Sequence, residues 1–363
     1  MSWYKKIPVI LLAILTLCCS FALANRETAA SLSCDMVSAM MQYELKNHLF
    51  AGDLPFSAQL VLRQSPALYT ALQGRRMDTE SSPEEVPTPV ESPPVSQGST
   101  LTYADNGIPS QTVLCSNPAG YTVVNGVYIK NASSRSLDAD ALSVPGFAAG
   151  LEETSPQILI VHTHGSEAYA MPKGQSYTAT GTYRTADTAY NVVRIGDEIA
   201  SVLSSYGLSI VHDRILYDDP LYDGAYERSA AGISDYLEKY PSITYVLDIH
   251  RDAVQDSSGQ QYKLITKEDA HCAQISLIMG SNNDHWQENL KLAIATSAAV
   301  TDLSPTAMRP ITLRNSNYNQ HLTSGSLLVE IGAAGNSLDE AITAGQLFAR
   351  GFAAAVLENA GKS

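Results

Sequence analysis

Paired cysteines are missing from this chain of 363 residues, although it holds five cysteines. Cys18 and Cys19 lie inside an N-terminal apolar run, and Cys34, Cys115 and Cys272 are far apart. Without a C-x-x-C pair, neither a zinc ribbon nor a disulfide framework is indicated; a Cys34–Cys115 bridge is allowed but not demanded. Basic charge is also scarce. Lys and Arg number 23 against 37 Asp and Glu, a formal charge of −14. That balance excludes nucleic acid, whose phosphates require clustered cations. No G-x-S-x-G elbow occurs, and Cys272 beside His271 has no evident activating base, so a serine or cysteine hydrolase ranks last. There is no internal repeat.

What is present divides the chain into zones. Lys5 and Lys6 precede an uncharged apolar stretch from Ile7 to Ala24. Its length suits either a membrane anchor or a signal peptide cleaved after Ala24, where Ala22-Leu23-Ala24 has the small-x-small form. Both place the rest of the chain outside the cytoplasm. The expected zones are a membrane or signal segment at 1–25, a short helical region at 26–73, and a linker at 74–118. The linker run from Ser81 to Pro94 is rich in Pro, Glu and Ser. It has too little apolar surface to offset its ordering entropy and reads as an extended, disordered spacer. Residues 119–363 read as one globular domain, and 45% hydrophobic content supplies a sizeable core.

In that domain, buried-strand patterns at Ile158–Val161, Ser209–His212, Ile243–Ile249, Ile275–Met279 and Leu327–Ile331 alternate with helical ones. The helical spacing falls at Tyr190–Leu203, Ala225–Leu237, Trp286–Ala299 and Leu338–Leu357. Such alternation predicts an α/β fold, a mostly parallel sheet with helices on both faces.

Ligands of open α/β sheets sit beyond the carboxyl ends of strands, so strand ends bearing reactive side chains carry the chemistry. The first strand runs into His162-Thr163-His164-Gly165-Ser166-Glu167. A lone histidine is usually a buried, backbone-bonded residue. Two with a Glu at one strand end favour a metal site, with one imidazole as ligand and the other as neighbour. A second strand ends Asp248-Ile249-His250-Arg251-Asp252, a ligand candidate with carboxylates to hold its N–H. The plainer reading makes Arg251–Asp252 a surface ion pair. The third, Leu327-Leu328-Val329-Glu330-Ile331-Gly332, embeds a Glu among apolar residues. Burial raises such a carboxyl's pKa, which suits a general base. Ser337 and Glu340 have the spacing of a helix capping box, and Asn336 beside them is read as structural. His212-Asp213 reads as supporting structure or turn, and His271, His285 and His321 as surface or packing residues. The aromatic-rich stretch from Tyr217 to Tyr226 could line a substrate groove, but a plain tyrosine-bearing loop is the simpler reading.

Three motifs in this order, His162–Tyr169, Asp248–Ala253 and Leu327–Gly332, together resemble the stage II sporulation protein P family. Tyr183–Asp187, Tyr190–Gly196 and Tyr318–Leu322 support the likeness, which runs from about Tyr121 onward. The resemblance implies a peptidoglycan amidase with endopeptidase activity that degrades septal wall during engulfment, with stage II sporulation proteins D and M as partners. The domain is also distantly similar to zinc-dependent N-acetylmuramoyl-L-alanine amidases, with their phosphorylase/hydrolase-like fold. That similarity implies Zn2+ held by His164, His250 and a carboxylate, either Asp187 or Glu167 with Asp187 slightly favoured, leaving a position for water. It implies Glu330 as catalytic base and Arg251 or Arg184 as the holder of an oxyanion or a substrate carboxylate. A scaffold of the sporulation septum that binds wall without cutting it is the rival expectation.

Overall fold

The computed structural model describes residues 101–362, apart from 102, 116, 145, 148–150 and 152–154. The expected segments 1–25 and 26–73, Cys34, and the linker up to 100 lie outside the described residues. Among the described residues no helix is long and apolar enough to cross a membrane.

Eight strands form the main sheet: β2 (Thr122–Val124), β3 (Val127–Ala132), β4 (Ile158–Val161), β5 (Ile210–His212), β6 (Tyr245–Asp252), β8 (Ile275–Gly280), β9 (Ile311–Arg314) and β10 (Ser326–Ala333). Their order is β2-β3-β9-β8-β10-β6-β4-β5. A two-stranded sheet pairs β1 (Ser110–Gln111) with β7 (Lys263–Leu264). The helices are α1 (Ala139–Ser143), α2 (Val192–Ser205), α3 (Ala225–Lys239), α4 (Trp286–Leu303) and α5 (Leu338–Asn359).

The sheet is mixed. Strands β10, β6, β4 and β5 run parallel to one another, as do β3, β9 and β8, but β8 and β10 meet antiparallel and β2 is an antiparallel edge. The parallel expectation therefore holds within each half and fails at the junction between them. Strand periodicity reports which faces are buried and not which way a neighbour runs.

Helices cover both faces, as the alternation of side chains along the strands requires. Ile158, Ile160, Leu247, Ile249, Val329 and Ile331 face α2, α4 and α5 in the larger core cluster. Leu159, Val161 and Val246 pack with Ile233 of α3 on the other face. Every residue of β4 is fully buried, which is why it reads as a continuous apolar run, each side chain contributing about 1.5–3 kcal/mol. The strong helices also have defined starts. Asn191 caps α2 by accepting from Val193 N–H, and Ser337 and Glu340 form the capping box of α5.

One boundary moves. The spacer expected through 118 is docked on the body from 101 onward: Tyr103 Oη shares a hydrogen bond with Thr343 Oγ1 at 2.9 Å, and Tyr103 stacks on His271. Asn106 donates to Gly335 O, and Thr112 to Ile265 O. Composition missed this because a few side-chain and backbone bonds, rather than an apolar face, hold the segment.

Candidate active site

Because β4, β6 and β10 run parallel, their carboxyl ends share one edge, and the three motifs meet there. The chain leaves strand geometry after Val161, so His162 and His164 separate. His164 reaches the rim. Its ring centroid lies 5.3 Å from that of His250, with the planes at 83°. Glu330 is the register partner of His250 across the β10–β6 pair.

Glu167 is the carboxylate that joins them. Its Oε2 lies 3.4 Å from His250 Nδ1 and accepts from Arg251 N–H at 3.2 Å. Its Oε1 accepts from Arg184 Nη2 at 3.2 Å and lies 3.7 Å from Arg251 Nη1. Burial pushes the Glu167 carboxyl up, but Arg251 and His250 outweigh that and hold it at about 2. Asp187 stands apart. It is exposed, and its Oδ1 accepts from Ala189 N–H two residues on. The slight preference for Asp187 is not carried by the geometry: its side chain closes a local turn, and Asn191 caps the helix that follows.

Asp248 supports the same cluster. It accepts from Thr163 N–H and Oγ1–H at 2.8 and 2.7 Å, and its Oδ1 lies 2.9 Å from His250 Nε2 without the alignment of a hydrogen bond. Burial alone would lower His250; the carboxylates of Asp248 and Glu167 reverse this and hold it well above the usual histidine range. Asp252, the other expected support, pairs with Arg309 at 2.6 Å and not with Arg251. Arg251 is buried and committed, donating from Nε to Ala168 O and from Nη2 to Tyr183 O.

Two polar atoms of the cluster are buried without any partner, His164 Nδ1 and Glu330 Oε2, while His250 Nε2 lacks an aligned hydrogen bond but has the Asp248 carboxylate 2.9 Å away. Orphaned buried donors and acceptors are costly and call for a cation, a water or a substrate group. Burial first, then the neighbouring Glu167 and Asp252, push Glu330 up to about 8 against the pull of His250. Burial and the adjacent His250 lower His164, which leaves it a neutral donor. Among the described residues no group of three or more His, Cys, Asp or Glu is assembled as a closed ligand set. The donors fit zinc in kind, two imidazoles and a carboxylate, and they are gathered without being converged.

One feature escaped the sequence. Behind the rim, His162 Nδ1–H donates to Ile249 O at 3.1 Å, His162 and His212 face each other Nε2 to Nε2 at 2.8 Å, and His212 Nδ1 lies 3.1 Å from Asp197. Burial and the neighbouring His212 lower His162 to about 3. Gly196 makes room for the pair, since a Cβ there would lie 2.5 Å from His212 Nε2 and 2.7 Å from His162 Nε2. The adjacent His212-Asp213 hinted at support, but the true partner, Asp197, sits one helix earlier. At the front, Tyr222 stacks on His164 and Tyr226 meets its edge, so the tyrosine loop does reach the site. The remaining candidates are structural. His285 precedes α4 with its N–H bonded to Asn283, His321 bonds Asn317, and burial raises the Cys272 thiol to about 12.

The sequence model of the stage II sporulation protein P family matches residues 75–353. Stage II sporulation protein P of Bacillus subtilis (strain 168) is 26% identical over 195 residues, covering 50% of this chain and 47% of the relative. The chain thus matches about half the length of that curated relative. Among solved structures, an N-acetylmuramoyl-L-alanine amidase from Clostridium difficile 630 is 16% identical with a TM-score of 0.37, covering 56% of this chain and 96% of the other. The CwlD amidase from Clostridioides difficile, solved in complex with the GerS lipoprotein, is 13% identical with a TM-score of 0.37, covering 57% and 100%. Superposition at this level carries no argument about activity. The match to the family model spans well over half of the sequence, and the chain belongs to the stage II sporulation protein P family.

Proposed function

We propose that this protein is a peptidoglycan hydrolase, an N-acetylmuramoyl-L-alanine amidase with added endopeptidase action, that removes septal wall during engulfment. The observation that carries the reading is Glu330: a half-buried carboxyl with one buried, unpartnered oxygen, its pKa pushed up to about 8, in register with His250. Family membership and the gathered donors His164, Glu167 and His250 support it. Those three residues are the proposed zinc ligands, and binding would release the proton that Asp248 and Glu167 favour on His250 in the metal-free fold. Zinc bound there supplies Lewis acidity toward the scissile carbonyl and toward water.

The chain's own residues do the rest. Glu330 takes a proton from the attacking water and returns it to the leaving amine, a transfer favoured by a pKa close to working pH. Asp248, 2.9 Å from His250 Nε2, pairs electrostatically with that ring. Arg251 enters as a positioning residue, because its guanidinium ties the 168–183 segment to β6. Arg184, one-fifth exposed and linked to both Glu167 and Asp218, is the better placed guanidinium to meet developing negative charge. Placement outside the cytoplasm on an N-terminal anchor, and action with stage II sporulation proteins D and M, belong to the same proposal and rest on the apolar run and the family.

The test is hydrolysis of purified peptidoglycan by the full chain. Chelator treatment and Glu330→Gln each abolish it under this reading, while a serine-directed reagent leaves it intact. The rival, a scaffold that binds wall without cutting, draws on the ligand set not being assembled. It predicts no bound zinc in the purified protein and no cleavage.

A further inference from the structure

An aromatic wall at the rim has no part in the chemistry above. Tyr222 lies parallel to the His164 imidazole, centroids 4.5 Å apart at 11°, yet the residue is 54% exposed. A large ring left half open, with its contact made to a candidate ligand, is not serving a core.

Its position is fixed from several sides. Arg228 donates to the carbonyls of Tyr217, Leu221 and Asp223, and Asp218 accepts from Ser166 N–H and Oγ–H. The Arg184 guanidinium carbon lies 4.8 Å from the Tyr222 ring centre. Tyr226 and Tyr318 continue the wall, with ring centroids 6.0 Å apart. Tyr318 and the next residue, Asn319, hold left-handed backbone at φ 53° and 57°. Asn319 pins that turn by donating to Tyr226 O and Ser229 Oγ. Non-glycine backbone held there costs free energy and tends to be retained where function uses it.

The charge around the ring narrows the ligand. The arginines of this region are engaged: Arg184 with Asp218 and Glu167, Arg214 with Asp197, and Arg228 with carbonyls. The charge the structure places at the ring is the Arg184 guanidinium, already paired with Asp218 and Glu167, so the exposed part of the ring carries no unpaired charge for a ligand to match. It suits a neutral polyol, whose C–H face lies on the exposed part of the ring.

We propose that Tyr222 is a saccharide-stacking residue, the platform that receives the glycan end of the substrate beside His164. The proposal rests on the wall-hydrolase reading for its substrate but not for its test. The measurement uses full-chain protein carrying Glu330→Gln, titrated with N-acetylglucosamine tetrasaccharide and, separately, with free stem peptide. Tyr222→Ala weakens tetrasaccharide binding about three- to tenfold, the worth of one aromatic contact. Tyr222→Phe and Tyr222→Trp keep the affinity, and stem-peptide binding does not change in any of the three. Tetrasaccharide that fails to bind, or binds Tyr222→Ala undiminished, overturns the proposal, and so does stem-peptide affinity falling in step with it. Because binding is read without turnover, failure of the hydrolase reading leaves a distinct signature: Tyr222-dependent saccharide binding in a protein that cuts nothing.

Discussion

Glu167 is buried and Glu330 half-buried at the same rim, yet their environments drive them in opposite directions. Glu167 meets Arg184, Arg251 and His250, while one Glu330 oxygen meets nothing. Glu330 prefers its proton in the fold. Its contribution to stability is therefore intact below its unfolded value near 4.5 and is lost as pH rises through about 8. In chelator-treated protein, Glu330→Gln should raise the melting temperature relative to wild type at pH 8.5, with the gain shrinking at pH 5.5; equal melting at both pH values contradicts the burial argument. Glu167→Ala leaves Arg251 buried and Arg184 half-buried without their carboxylate, at a cost of about 3–5 kcal/mol. Asp187→Ala, at an exposed turn, costs within about 0.5 kcal/mol. Denaturant unfolding of both variants separates the two carboxylates. His164, Glu167, His250 and Glu330 could be picked out as candidates because each sits at or just past an apolar strand, and the strand ends bring them to one rim. The choice between Glu167 and Asp187 was not legible, since it depends on how the 167–191 segment folds back on itself.

Elements placed by strong periodicity were read from sequence closely: β4 and the starts of α3, α4 and α5 to the residue, and β8, β10 and β6 with ends displaced by up to three residues. Strands β2, β3 and β9 were not. They are short, and β3 and β9 are buried on alternate residues only, so their pattern is weak until the neighbour is known. Helix packing adds a constraint that periodicity does not show. A Cβ on Gly351 of α5 would lie 2.3 Å from Val300 Cγ2 and 2.9 Å from Val300 N in α4. Gly351→Ala should therefore destabilise by about 1–3 kcal/mol despite its better helix propensity, measured by thermal unfolding. A neutral or stabilising result would mean that α4 and α5 yield easily.

At the scale of the whole molecule, two parallel half-sheets meet antiparallel at β8–β10, and only one half presents strand ends to the rim. Its strands β4, β6 and β10 bring together motifs separated by more than 160 positions. The segment from 101 closes the same end through β1–β7 and Asn336, whose side chain bonds Leu264 N–H and O, Ala333 N–H and Glu340. Asn336→Ala should cost about 2–4 kcal/mol, since it strands several buried backbone groups at once. The account as a whole is tested most directly by mass spectrometry of peptidoglycan digested with the full-chain protein. It predicts stem peptides freed from glycan at the lactyl–alanine amide, in a reaction lost on chelation and restored by zinc. Peptidoglycan recovered with every lactyl–alanine amide intact, from protein shown to be folded and zinc-loaded, would contradict it.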